Sequence, residues 1–197
     1  MRDVSVTINT AIIAVDIQND FCPGGALPVP EGDTIVSVMN LYVTKFSEMG
    51  LHIYFTRDWH PMNHVSFRTG GGIWPEHCVQ DTYGAELTPG LLIPEKAVIL
   101  EKGKAPDKDA YSAFQGTSLE ARLRKDNIAR LFIGGLATDY CVRSTVLDAL
   151  HAGFEVFFLA DASKGVDVKT GDSEKAIDEI LKEGAVSVVY KDIIWQT

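Results

Sequence analysis

The sequence predicts an α/β fold, a three-layer doubly wound sheet of about six mostly parallel strands. Three observations predict it. Six short apolar runs, rich in Val, Ile and Phe, recur along the chain. Their weak alternation suits strands covered on both faces. Helical patterns with glycine stops separate most of them, and such alternation of strand and helix marks a parallel sheet.

The elements follow in order. Residues 11–16 (AIIAVD) form the first predicted strand. Asp33 is placed to N-cap a helix through Met49, and Gly50 is its stop. Residues 51–56 (LHIYFT) are the second strand and 97–101 (AVILE) the third. Thr117-Ser118-Leu119-Glu120 reads as a capping box before ARLRK. The fourth strand is 129–134 (ARLFIG), followed by a helix over 138–152 that Gly153 ends. The fifth is 154–160 (FEVFFLA), followed by a helix over 172–183 that Gly184 ends. The sixth is 185–190 (AVSVVY). Between the second and third strands lie roughly 40 residues without a regular pattern, and so long a loop in a compact domain is usually functional.

Composition narrows the function. The 197 residues are 46% apolar and 23% charged, ordinary globular usage. One domain over residues 1–197 is expected. The formal charge is −9 and the pI about 5.0. An acidic surface repels phosphate backbones, which argues against a nucleic-acid binder and against anionic membranes. The opening MRDVSVTINT lacks the apolar core of a signal peptide, and no apolar run approaches the ~18 residues of a membrane span. The expected location is the cytoplasm. Cys22, Cys78 and Cys141 are odd in number and irregularly spaced, which fits a reducing compartment better than a disulfide scaffold. Three of the 5 histidines, His60, His64 and His77, crowd one stretch.

Open α/β sheets bind ligands at the carboxyl ends of their strands, near the point where strand order reverses. Asp16 closes the first strand, Asp58 and His60 follow the second, Lys102 follows the third, and Cys141 follows the fourth. Parallel strands gather these five side chains on one edge. With the order 3-2-1-4-5-6, strands one and four are neighbours and Asp16 faces Cys141. Asp58 and His60, with His77 from the same long loop, make a two-His, one-carboxylate set that leaves positions open for water or substrate. Zinc, iron and manganese all suit such a set. Solvated loop residues are the competing reading, and His64 is a further candidate ligand. His52 and His151 read as structural.

Cys141 reads either as a nucleophile at a helix N-terminus, where N–H groups favour a thiolate and can bind an oxyanion, or as a small buried hydrophobe. No histidine lies at a strand end near it. Asp16, desolvated at the sheet edge, is the available base. Lys102 either holds Asp16 ionised or forms a structural salt bridge. Phe21, Trp74, Tyr111 and Tyr140 lie near these positions and either wall a small flat ligand or pack in the core. Gly70-Gly71-Gly72 and GGLATDYC match no nucleotide-binding motif.

Five segments in order, AVDIQNDFCPGGALPV, TRDWHPMNHVSF, WPEHCVQDTYGAEL, EKGKAPDKDAYSAF and GGLATDYCVRSTVLDA, resemble the nicotinamidase/pyrazinamidase branch of the isochorismatase-like cysteine hydrolases. The resemblance implies the isochorismatase-like hydrolase fold and a catalytic triad of Asp16, Lys102 and Cys141. It implies metal ligation by Asp58, His60 and His77, an oxyanion hole from the N–H groups of Ala137 and Cys141, and a non-proline cis peptide at Leu136–Ala137. Phe21 and Trp74 match ring-sandwiching positions; Tyr111 and Tyr140 join them as expected substrate contacts. The implied reaction converts nicotinamide and water to nicotinate and ammonia, feeding NAD salvage, with pyrazinamide as a second substrate. The implied cofactor is one divalent metal, zinc first, with iron or manganese also compatible. The expected partner is the small molecule alone, with the chain a monomer or a homo-oligomer. The rivals are a metal-free ureido amidohydrolase or isochorismatase, a two-His-one-carboxylate iron oxygenase, and a non-catalytic binding module. The first lack the Asp-x-His…His set. The second uses His-x-Asp on a β-barrel. The intact Asp16 and Cys141 argue against the third.

Overall fold

The computed structural model describes residues 4–195. Six parallel strands form the central sheet: β2 (Thr10–Val15), β3 (His52–Asp58), β4 (Val98–Lys102), β5 (Arg130–Leu136), β6 (Glu155–Lys164) and β7 (Val186–Val188), in the order β4-β3-β2-β5-β6-β7. Each pairs with its neighbours in parallel. This is the common doubly wound order that makes the first and fourth apolar runs neighbours, with the switch between β2 and β5. Two strands fall outside the prediction, β1 (Val4–Ser5) and β8 (Ile193–Ile194), which pair with each other in a separate small sheet. Two-residue strands carry too little periodicity to show in a sequence.

The two faces of β2 explain the layers. Ile12 and Ala14 join Phe55 and Phe132 under Met39, Tyr42, Val43 and Phe46 of α1 (Ile35–Glu48). Ala11, Ile13 and Val15 point the other way with Tyr54, Leu131 and Ile133. That face is covered by Leu119 and Leu123 of α2 (Leu119–Lys125), Val146 and Ala149 of α3 (Arg143–His151) and Ile180 of α4 (Asp172–Lys182). Every residue of β2 is buried, so its sequence reads as a continuous apolar run.

Several boundaries differ from expectation. Asp33 does not cap α1; it sits inside a 3₁₀ turn, Gly32–Thr34, that leads into the helix. The capping box does not form. The Thr117 hydroxyl accepts from Leu119 N at 3.1 Å, one residue early, and Glu120 pairs with Arg124 instead. The predicted helix over 138–152 opens with a π turn, Thr138–Val142, before α3. β6 outlasts its prediction because its ladder to β5 shifts register between Ile133 and Gly135. β7 is shorter than the apolar run 185–190, whose end turns into a 3₁₀ segment, Tyr190–Asp192. Among the described residues no helix is long and apolar enough to cross a membrane.

Candidate active site

The carboxyl ends of β2, β3, β4 and β5 meet at the switch point. Asp16 leaves β2 with φ +49°, so the chain turns off the sheet and its buried carboxylate stays at the sheet edge. From there alternate residues reach across to the neighbouring segments. Asp16 Oδ1 accepts from Thr56 Oγ1 at 2.7 Å. Gln18 bonds both backbone groups of Asp58. Asp20 Oδ2 accepts from Cys78 N at 2.7 Å, beside His77.

Lys102 is the hub. It ends β4 in register with Asp58 and is only 1% exposed. Its Nζ lies 2.5 Å from Asp58 Oδ1, 2.9 Å from Asp16 Oδ2, 3.1 Å from the Ala110 carbonyl and 3.4 Å from Cys141 Sγ. Asp16 Oδ2 meets the lysine as a buried ion pair, and no other group claims that oxygen. A carboxylate oxygen of Asp16, one of Asp58 and Cys141 Sγ all lie within 4.8 Å of one another.

Burial decides the protonation of this cluster. Desolvation raises the Asp16 carboxyl above its ordinary range, against the pull of Lys102. Burial opposes the charge on Lys102, but the negative groups around it hold the ammonium well above its ordinary value. Burial also pushes the Cys141 thiol well up, although Lys102 pulls it down. Burial beside two carboxylates thus favours the protonated thiol, so a nearby base is needed to activate it.

Beside the hub, ligand atoms of Asp58, His60 and His77 converge within 4.8 Å, all three residues being buried. Asp58 Oδ2 lies 3.6 Å from His60 Nε2. Burial works against ionising Asp58, yet Lys102 and His60 hold it below the usual carboxylate range. Burial lowers His77, while Asp58 and the Gly103 carbonyl raise His60 against the same effect. Each imidazole is oriented through Nδ1, His60 by the Gly103 carbonyl at 2.9 Å and His77 by the Pro75 carbonyl at 2.8 Å. Both Nε2 atoms are thereby left for a metal, the arrangement that outer-shell carbonyls impose on metal-bound histidines. One carboxylate oxygen and two imidazole nitrogens fit a divalent ion. Gly103 is required here, since at φ +64° a Cβ would stand 2.4 Å from His60 Cε1.

The long loop delivers His77 by folding back on itself. His60 N bonds the Cys78 carbonyl and Gln80 N bonds the His60 carbonyl, a parallel bridge between His60 and Val79. His64 stacks on His60 at 4.1 Å, but both its nitrogens are engaged, Nδ1 with Ser66 and Nε2 with the Lys108 carbonyl. It stands outside the converging set, as does buried Cys78. His52 lies 3.5 Å from Asp126 at the far end of β3, and His151 is exposed at the end of α3.

A cavity of about 370 Å³, counting its open mouth, lies over the sulfur. Phe21, Trp74, Tyr111, Tyr140, Ala137 and Cys141 line it, with Asp58 and His77 at one side. Trp74 Nε1 donates to Tyr111 Oη at 3.0 Å, and the Trp74 ring meets Tyr140 edge-on at 5.0 Å. Leu27 and Val166 also line the cavity and were not expected. Val166 is held there by Asp139, whose carboxylate accepts from Val166 N and Asp167 N. The peptide Leu136–Ala137 is cis.

Residues 10–188 match the model of the isochorismatase domain. The chain belongs to the isochorismatase family. The nicotinamidase of Escherichia coli is 41% identical, with 92% of this chain and 95% of that protein aligned. The pyrazinamidase of Pyrococcus horikoshii, solved in complex with zinc, is 53% identical with a TM-score of 0.89, covering 92% of this chain and 99% of that one. PnC1 of L. infantum, solved in complex with nicotinate, is 32% identical with a TM-score of 0.91, covering 98% and 99%. The two solved structures thus share this chain's overall fold.

Proposed function

We propose that this chain is a nicotinamidase, a cysteine amidohydrolase that converts nicotinamide and water to nicotinate and ammonia, and that it also accepts pyrazinamide. Residues 1–197 act in this reading as one hydrolase domain. The observation that carries it is the meeting of a buried thiol, a buried carboxylate and a buried ammonium at one wall of an aromatic cavity. The names of the relatives support the choice of amide.

The ring enters between Phe21 and Trp74, with Tyr111 and Tyr140 closing the wall. Asp58, His60 and His77 are the residues that would hold a divalent ion, zinc by analogy with the P. horikoshii complex. When bound, the ion supplies a Lewis-acid contact for the ring nitrogen. Asp16 takes the proton of Cys141, while Lys102 compensates the charge that moves. The sulfur forms a bond to the amide carbon, and the carbonyl electron pair moves to oxygen, held by the N–H groups of Ala137 and Cys141. One such donor typically contributes about 2.7–4 kcal/mol to the transition state. Protonated Asp16 returns its proton to the amide nitrogen as the C–N bond breaks and ammonia leaves. A water then loses a proton to Asp16 and adds to the thioester, the C–S bond breaks, and the sulfur regains its proton. Nicotinate is the product, the chemistry expected of a step in NAD salvage.

The test is a stoichiometry. Purified protein given nicotinamide is expected to release ammonia and nicotinate in equal amounts, with one divalent ion per chain by elemental analysis. Release of neither product from nicotinamide or pyrazinamide overturns the reading.

A further inference from the structure

We propose that Gln18 is a positioning residue whose side chain stands in for a missing strand and fixes Asp58 between Lys102 and the two histidines. This rests on reading Asp58, His60 and His77 as metal ligands. β2 ends at Val15, and Asp16 turns the chain off the sheet. The last backbone link from this segment to β3 is Asp16 N to the Thr56 carbonyl at 3.2 Å. β3 continues two residues further, to Asp58. In a parallel sheet the N–H and carbonyl of one residue point to the same neighbour. Those of Thr56 and Asp58 face the β2 side, whereas Trp59 N bonds the Lys102 carbonyl on the β4 side.

Without a partner, the Asp58 peptide groups would be orphaned at the buried end of the sheet. Gln18 supplies that partner. Its Oε1 accepts from Asp58 N at 2.8 Å and its Nε2 donates to the Asp58 carbonyl at 2.9 Å. A carboxamide carries the same donor and acceptor pair as a peptide group. The second Nε2 proton goes to the Ala85 carbonyl at 2.9 Å, so the same side chain ties down the loop that delivers His77. Gln18 is wholly buried, and every one of these bonds is needed to avoid an unsatisfied group.

Gln18 touches neither the cavity nor the sulfur, so its effect passes through Asp58. The test compares Gln18→Glu, which keeps the shape but loses the donors, with Gln18→Met, which loses donors and acceptor. Val43→Ala, a core truncation on α1, controls for lost stability. Zinc affinity is measured by competition with a chromophoric chelator, beside thermal unfolding. Both Gln18 variants are expected to bind zinc about 10–100-fold more weakly, the usual effect of losing an outer-shell partner, while Val43→Ala lowers the melting temperature and keeps parental affinity. Zinc binding by the Gln18 variants within threefold of the parent overturns the proposal. So does an equal loss in Val43→Ala. If one Gln18 variant fails to fold, the other decides; if both fail while Val43→Ala folds, the role is structural and the proposal falls. A parent chain that binds no zinc overturns the ligand reading and this proposal together. A parent that binds zinc but leaves nicotinamide intact removes the substrate reading alone, and weaker binding by the variants then still supports the role of Gln18.

Discussion

Replacing Lys102 with methionine tests the electrostatic centre of the site. The side chain keeps its apolar stem but loses the charge that lies 2.9 Å from Asp16 and 2.5 Å from Asp58. At an effective dielectric constant of about 20, each attraction is worth roughly 6–7 kcal/mol before desolvation. Removing one partner of a buried pair typically costs about 3–5 kcal/mol net, because an uncompensated charge remains. That is roughly two to three and a half orders of magnitude in the folding equilibrium. The sign with pH follows from Asp16. Its pKa is already raised by burial, and losing Lys102 raises it further. A carboxyl raised in the folded state binds a proton more readily there than in the unfolded chain. Its contribution is favourable at low pH and lost as pH rises through the folded pKa. The gap between Lys102→Met and the parent is therefore expected to be about 3–5 kcal/mol at pH 8 and smaller at pH 5. Urea unfolding of both proteins in chelator, at the two pH values, measures it. Equal stability at pH 8, or a gap that widens at pH 5, would mean that Lys102 does not offset the buried carboxylates.

Three further outcomes are expected. Gly103→Ala places a Cβ 2.4 Å from His60 Cε1 in a left-handed backbone, so metal content after dialysis should fall sharply; retention of a full equivalent contradicts the assigned role of that turn. Tyr111→Phe removes the acceptor of Trp74 Nε1, and a neutral hydrogen bond of about 1 kcal/mol predicts a KM for nicotinamide raised roughly fivefold with kcat nearly unchanged; a fall in kcat alone counts against a ring-holding role. The acid limb of kcat/KM should lie above the ordinary carboxylate range, since Asp16 is raised by burial and must be ionised to accept the thiol proton. A limb at or below pH 4, in protein shown to remain folded, speaks against Asp16 as the base.

Much of this was legible in the sequence because the site sits where the fold must place it. Apolar runs covered on both faces announce a parallel sheet, and their ends carry Asp16, Asp58, Lys102 and Cys141 into one edge. The strand order is the common doubly wound one, which the apolar runs alone do not select. The aromatic wall was nameable from position, and His77 from the length of the loop that carries it. What was not legible depends on contacts between distant segments. Thr56 and Gln18 look like ordinary residues at the end of a strand and the start of a loop; their roles appear only when β2 and β3 lie side by side. Val166 reaches the cavity only through Asp139. The environment of Cys141 depends on such contacts too. Its place after β5 suggests a helix end that favours a thiolate, but its burial beside two carboxylates is a property of the assembled sheet edge.

The central claim is that Cys141 attacks the amide carbon of nicotinamide. Ammonia release by Cys141→Ala, set beside the parent at equal metal content and equal melting temperature, tests it most directly. Release is expected from the parent and none above the no-enzyme background from the variant. Turnover by Cys141→Ala at the parental rate would contradict it.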